Sequence, residues 1–344
     1  MADVQKNFKD FHEKIKLDDE NDVLREKRDI VLDVLKNNID KDVASYTTFI
    51  HGSYSMGTGI KPIDGDYDID VGIRFSIDKD DYSDATIPKN WVFEAVDGHT
   101  KEVKFKNSCI KVQYQKSEEP IYHVDLSVYA NNNSDEKMYL AKGNLNSSTE
   151  NKFWEISDPT KFKDKVNERF SDSDDREQFR RCIRYLKRWK DLKFSSSGNV
   201  APSGIALTVC AYEYLKSSYT YDYFTNTKKY NDLEALRVLV SQMISEFKTI
   251  YDENEEKYVE RLVVTMPVEP NNDLLDKMTN NAILDFKDKL GMLNENLDKA
   301  CEEVDPVKAC EYLNRSFGDD FEIPKKETTA EYKKQAYIGN TEGA

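Results

Sequence analysis

Apolar residues at spacings of three and four open the chain. Phe8, Phe11 and Ile15, followed by Val23, Leu24, Ile30, Val31, Val34 and Leu35, recur among charges and predict helix over residues 1–40. Such a helical prelude needs something downstream to pack on. Over residues 48–75 the pattern shortens to β-type runs, TTFI and YDIDVGIRF, on either side of a glycine-bearing stretch, GSYSMGTGIKPIDGD. That predicts strand, loop, strand. Further β-type runs at 103–114 (VKFKNSCIKVQY) and 121–129 (IYHVDLSVY) are parted by a polar turn, KSEEP, so the N-terminal half reads as mixed α and β.

From about residue 174 the helical period takes over. Asp174, with Glu177 three positions on, suits an N-terminal cap. Phe179, Cys182, Ile183, Leu186 and Trp189 then form one apolar stripe, with Arg180, Arg184 and Lys187 as a basic ridge on the adjacent face. Pro202, Ser203 and Gly204 open a second apolar helix (IALTVCAYEYL), and helical patterns cover 231–250 and 273–300. Residues 318–344 are polar, carry Pro324 and lack apolar periodicity, which predicts a loosely held tail.

Composition narrows the classes. A chain of 344 residues can bury a sizeable core and divide into two lobes. We place a first lobe with the N-terminal helices at 1–170, a helical lobe at 171–317 and a flexible tail at 318–344. Hydrophobic residues make up 38% and no apolar run approaches the roughly eighteen residues of a membrane span, so no membrane association is expected. The start of the chain has no apolar signal segment, and the expectation is a cytoplasmic protein. Five cysteines without C-x-x-C spacing argue against a disulfide framework or a zinc site. The net charge of -15 argues against generic duplex DNA binding.

The candidate chemistry lies in three acids. In Asp68-Ile69-Asp70-Val71 a strand sends both carboxylates to one face and the two apolar side chains to the other. Like charges held this close call for a cation, and hard oxygen ligands suit Mg²⁺ bridging to substrate phosphates. Asp125, between Val124 and Leu126 in a second strand, makes a third ligand. Three carboxylates around two metal ions can activate a hydroxyl and hold a triphosphate for in-line displacement. Upstream, Gly52-Ser53 and Gly57-Thr58 form a loop in which glycine lets the backbone approach a phosphate and Ser53 adds a hydroxyl. Taken singly, each element has a plainer explanation. D-x-D also marks a solvated strand face, Asp125 also fits a buried hydrogen-bonded acid, and the basic ridge also fits an ion-paired surface. Their joint occurrence, in this order, is what points to a site.

The string HGSYSMGTGIKPIDGDYDIDVGIRF followed by HVDLSVY resembles the polymerase-β-like nucleotidyltransferase superfamily. Within it, GDYDIDVGI, IRYLKRWKD and APSGIALT resemble the bacterial cGAS/DncV-like nucleotidyltransferases, the CD-NTases of CBASS anti-phage defence, over about residues 45–300. The resemblance implies a bilobal α+β fold, a mixed-sheet catalytic lobe and a helical lobe resembling those of oligoadenylate synthase and cGAS. It implies joining of ATP and/or GTP into a cyclic oligonucleotide, a purine cyclic dinucleotide such as cyclic GMP-AMP, that acts on a downstream effector. Carried over by position, Gly52 and Ser53 match the nucleotide loop. Asp68, Asp70 and Asp125 match the triad that holds two Mg²⁺, with Mn²⁺ as a substitute. Lys187 matches a triphosphate-contacting lysine and Ser203 a serine at the same end of the cleft. MPVEPNNDLLDKM resembles the base-pocket region, making Asn272 and Asp273 candidates for nucleobase contacts. His51 precedes the GS pair where relatives vary, and Met56 stands at a loop position where some relatives place an aromatic, so base stacking does not transfer there. Related folds also transfer nucleotides to RNA or to a protein side chain, and a non-catalytic nucleotide-binding protein is a third reading. Some CBASS systems conjugate the enzyme's C-terminus through E1/E2-like partners, and Thr341-Glu342-Gly343-Ala344 could serve that end.

Overall fold

The computed structural model describes residues 2–17, 20–115, 121–195, 198–253 and 255–325. Two helices, α1 (Gln5–Ile15) and α2 (Glu20–Asn38), precede β1 (Tyr46–Ile50), the one-turn α3 (Gly52–Ser55) and β2 (Asp66–Phe75). Then come α4 (Thr86–Val96), β3 (Glu102–Phe105), β4 (Ile110–Tyr114), β5 (Ile121–Ala130), β6 (Tyr139–Ala141) and β7 (Trp154–Ile156). The second half holds α5 (Pro159–Asn167), α6 (Ser173–Lys193), α7 (Gly204–Tyr214), a hairpin β8 (Tyr219–Asp222) and β9 (Thr227–Tyr230), and α8 (Asp232–Ser245). A second hairpin, β10 (Lys248–Asp252) and β11 (Lys257–Arg261), leads to α9 (Asn280–Glu302) and α10 (Pro306–Phe317). Among the described residues no helix is long and apolar enough to cross a membrane.

The sheet runs β1-β2-β5-β4-β3, with β6 and β7 extending from β5. β2 and β5 are parallel neighbours and the other pairs are antiparallel. Alternation decides what each face does. Ile69, Val71, Ile73 and Phe75 of β2, with Val124, Leu126 and Val128 of β5, are buried in one apolar cluster with Leu24, Val31 and Leu35 of α2 and Val92 and Val96 of α4. The opposite face therefore carries Asp68, Asp70 and Asp125.

The helical core forms around α6, whose Phe179, Cys182, Ile183, Leu186 and Trp189 are buried with side chains of α7 to α10. Its N-terminus is capped two residues earlier than expected. Asp172, not Asp174, accepts from Asp174 N and Asp175 N, because its extended backbone aims the carboxylate back at the first free amides. The first helix also has another home. Phe8, Phe11 and Ile15 pack in the helical core, with Phe11 stacked at 5.3 Å on Tyr185, whereas α2 packs on the sheet. The region read as a loose tail begins firmly: Phe321 is buried 5.1 Å from Phe8 and 5.3 Å from Phe11. Residues 326–344, including the C-terminal Thr341–Ala344 read as a conjugation end, lie outside the described residues, as does the turn KSEEP. The helix expected from 273 begins at Asn280, and 248–252 is strand. α4, α5, α10 and both hairpins went unread in the sequence.

Candidate active site

Parallel pairing of β2 with β5 sets Asp70 directly across from Asp125 and Asp68 across from His123. β1 ends beside them, and His51 N donates to Asp70 O at 3.2 Å. The chain then turns at Gly52, whose φ is +67°, into α3. A Cβ at Gly52 would lie 2.9 Å from Asp70 Cγ and closer still to Oδ2, so only glycine lets the loop rest on that carboxylate. Ser53 O accepts from Thr58 N at 2.9 Å, closing the loop on itself. A cleft of about 660 Å³ between the sheet and the helical core is lined by Gly52, Ser53, Asp68, Asp70, Lys187 and Asn272 among others.

The acids are charged at a cost. Asp68 is exposed to the cleft it lines, yet desolvation by the protein packed around it, then the charge of Asp70, pushes its pKa up. Burial likewise raises Asp70. Asp125 is pushed up to about 6 by burial, with Asp70 and Asp68 adding to the shift and Lys111 opposing it. Lys111 stands across from Asp125 on β4, with its Nζ 3.8 Å from Asp125 Oδ2 and 2.9 Å from His123 Nδ1. An ammonium can only donate, so His123 Nδ1 accepts and the ring proton sits on Nε2. Asp66 Oδ1, 3.0 Å from the same Nδ1, is then left without a donor.

Asp125 Oδ1 is buried and lacks a hydrogen-bond partner, and the neighbouring Cys109 thiol is too weak a donor to neutralise it. An unpartnered carboxylate oxygen, two acids on one strand face and an all-oxygen donor set fit a hard divalent cation. Among the described residues no three such side chains form a closed cage as they stand, and Asp125 sits behind Asp70, outside the cleft lining.

The basic ridge turns inward. Lys187 Nζ donates to Thr58 O at 3.0 Å and to Thr58 Oγ1 at 3.3 Å. Burial and then Arg184 bring its pKa down to about 8, while Asp68 acts the other way. Ser203 caps α7, its Oγ accepting from Ala206 N at 3.2 Å; Gly204 and Ile205, rather than Ser203, line the cleft. Asn272 is exposed on the cleft wall. Asp273 is not in that wall: its Oδ1 accepts from Val264 N at 2.9 Å and Leu275 N at 3.0 Å, shaping the loop that presents Asn272.

Three lysines that the sequence did not single out also line the cleft. Lys142 pairs with Glu155 at 3.2 Å, Lys163 with Asp164 at 3.1 Å and Lys190 with Asp191 at 2.5 Å. Lys190 continues the ridge of Arg184 and Lys187 three residues on along α6, a signal the sequence did carry, whereas Lys142 and Lys163 come from separate elements and share no linear pattern with it.

Residues 46–129, from β1 through the Asp125 strand, match the family model described as cyclic GMP-AMP synthase DncV-like, nucleotidyltransferase domain. A cyclic GMP-AMP synthase from Escherichia albertii is 25% identical over 191 residues, covering 53% of this chain and 39% of that protein. The chain thus spans about two fifths of the length of that curated relative. The crystal structure of Vibrio cholerae DncV cyclic AMP-GMP synthase, a prokaryotic cGAS homolog, superposes with a TM-score of 0.65 at 17% identity, covering 94% of this chain and 98% of that one. The Bradyrhizobium diazoefficiens CD-NTase CdnG in complex with GTP gives 0.64 at 12% identity, covering 93% and 97%. The two-lobed α+β architecture is therefore the polymerase-β-like fold of these proteins.

Proposed function

We propose, from the premise that this chain belongs to the bacterial cGAS/DncV-like nucleotidyltransferases, that it joins ATP and/or GTP into a cyclic oligonucleotide with release of pyrophosphate. The product we favour is a purine cyclic dinucleotide such as cyclic GMP-AMP, made as a signal in anti-phage defence of the CBASS type and read by a downstream effector. The single observation that carries this reading is Asp70 at the floor of a cleft wide enough for nucleotides, with Gly52 resting on it and Asp125 beside it on the adjacent parallel strand.

Asp68, Asp70 and Asp125 would hold two Mg²⁺, which when bound neutralise the triphosphate and activate the attacking hydroxyl. Everything else falls to the chain's own groups. Backbone amides after Gly52 and the Ser53 hydroxyl receive phosphate oxygens. Lys187, whose charge reaches Asp68 and Asp70, offers an ammonium to the leaving pyrophosphate once it exchanges Thr58 for phosphate. The bond formed joins a ribose hydroxyl oxygen to the α-phosphorus, the α–β bridging bond breaks, and pyrophosphate leaves. Asn272, which lines the cleft, would contact a base, with Asp273 holding its loop.

The test is mass spectrometry of the products from a mixture of all four nucleoside triphosphates with Mg²⁺. A low-mass, phosphatase-resistant product that disappears in Asp68→Asn and Asp70→Asn supports the reading. Label carried into RNA or protein would instead support nucleotide transfer to a macromolecule. ATP binding without pyrophosphate release would support a non-catalytic binder.

A further inference from the structure

Three cations on one face of α6 are directed at main-chain carbonyls. Arg184 donates from Nε to Gly59 O at 3.1 Å and from a terminal nitrogen to Gly57 O at 2.5 Å. Lys187 takes Thr58 O, and Arg188 donates to Lys61 O at 2.7 Å. The segment 57–61 is thus strapped to the helical core along its length. Gly57 and Thr58 are hydrogen-bonded back to Tyr54 and Ser53, at 3.1 and 2.9 Å, so the strap continues directly into the loop that rests on Asp70.

Arg184 has the larger part in this arrangement. Its third nitrogen lies 2.7 Å from His12 Nε2, and His12 Nδ1 lies 3.2 Å from Glu13 Oε1. Burial, then the charge of Arg184, lowers the His12 pKa to about 4, so at neutral pH the ring is uncharged and Nε2 accepts from the guanidinium. Burial also brings Arg184 itself down to about 10. Its side chain does not line the cleft. A half-buried guanidinium with all three nitrogens engaged, two of them on one loop, fixes that loop's position with a geometry a single ammonium could not reproduce.

We propose that Arg184 is a positioning residue for the nucleotide loop, acting through the carbonyls of Gly57 and Gly59 and itself aimed by His12, so that the first helix of the chain sets the loop that meets substrate. The inference rests on the nucleotide reading of the cleft. It goes further in coupling α1, some forty residues before the loop, to substrate affinity.

The test uses four variants of the full chain, Arg184→Met, Arg184→Lys, His12→Leu and His12→Gln, with pyrophosphate release from ATP and GTP, melting temperature and amide exchange as readouts. Arg184→Met should raise KM for nucleotide by about 10-fold or more with a smaller change in kcat, and Arg184→Lys should recover only part of it. His12→Leu should raise KM by about 3-fold, and His12→Gln, which again offers Arg184 an acceptor, should reverse that. In both Arg184→Met and His12→Leu the Gly57 and Thr58 amides should exchange faster. An unchanged KM in Arg184→Met would overturn the proposal. So would a His12→Leu defect that follows melting temperature and is not reversed by His12→Gln. Should Arg184→Met not fold, the His12 pair decides alone. A wild-type chain that neither binds nor turns over nucleotide would sink the proposed function instead, and the exchange rates at Gly57 and Thr58 would still judge the strap.

Discussion

Gly52 and Asp70 touch so closely that no side chain fits between them: a Cβ on Gly52 would meet Asp70 Oδ2 head on, at a backbone φ of +67° that already favours glycine. The glycine loop and the acids are therefore one construction. Gly52→Ala should cost about 1–3 kcal/mol from the left-handed backbone alone, and more where the methyl displaces the carboxylate. Activity should fall much further than stability, because loop and acid move together. Thermal unfolding and pyrophosphate release on the same preparation would check this; a variant that is destabilised yet fully active at low temperature would contradict it.

Asp125 leads to a pH prediction. Its pKa stands at about 6, above its ordinary value, so the folded chain binds this proton more tightly than the unfolded chain. The stability it contributes in the metal-free protein is complete below the unfolded pKa and is lost as pH rises through about 6. Comparing wild type with Asp125→Asn removes the background from other groups. Without metal, the asparagine variant should gain stability relative to wild type between pH 5 and 7. With Mg²⁺ the ranking should reverse at pH 7.5, since Asp125 has already lost its proton there and the cation binds the free carboxylate without competition. If Mg²⁺ raised the melting temperature of both proteins equally, Asp125 would not be a ligand.

How much of this was legible depends on range. The facing of Asp68 and Asp70 follows from strand alternation, a property of neighbouring residues, and the apolar stripe of α6 follows from helical period in the same way. The ridge of Arg184 and Lys187 was visible, but its partners were not: the carbonyls of 57–61 lie more than a hundred residues away and carry no side-chain signal. Asp273 was a candidate base contact through the resemblance of its segment to a base-pocket region, and in one dimension a turn-forming aspartate and a ligand look alike; its bonds to Val264 N and Leu275 N identify it as turn-forming. The stripe of Phe8 and Phe11 predicted burial, yet which of two cores would receive it depends on the shape of the groove around Tyr185.

Lys111 offers a charge test beside the acids. Its ammonium lies 3.8 Å from Asp125 Oδ2 and opposes the upward shift of that group. Lys111→Met should therefore raise the Asp125 pKa further. At pH 8, where the carboxylate is ionised either way, removing a positive charge from the neighbourhood of a divalent ion should strengthen Mg²⁺ binding by about 1 kcal/mol at an effective dielectric in the tens. Isothermal titration with Mg²⁺ at pH 8 and pH 6 would show tighter binding at the first and a smaller gain at the second. Weaker binding at pH 8 would mean that Lys111 orders Asp125 more than it repels the ion.

The helical core contains a buried ion pair that should govern stability without touching the acids. Asp232 is fully buried and accepts from Arg181 Nε at 2.6 Å and from a second Arg181 nitrogen at 2.8 Å, with Tyr185 Oη at 3.0 Å and Gln178 Nε2 at 3.1 Å. Burial alone would raise its pKa, but the Arg181 hydrogen bonds and charge outweigh that and hold it below the ordinary value. A lowered carboxylate contributes stability above its unfolded pKa and loses it as pH falls through the folded one, the opposite sense to Asp125. Arg181→Met leaves the carboxylate buried without its cation and should cost about 3–5 kcal/mol at pH 7. The loss should shrink as pH falls from neutrality, beginning above the ordinary carboxylate range, because without Arg181 burial raises the Asp232 pKa and the variant takes up its proton there. Replacing both partners, Arg181→Met with Asp232→Asn, should restore much of the stability. Urea unfolding at pH 7 and pH 4 measures all three, and a double variant no more stable than Arg181→Met would show that the penalty comes from lost packing around Tyr185 and not from the stranded charge.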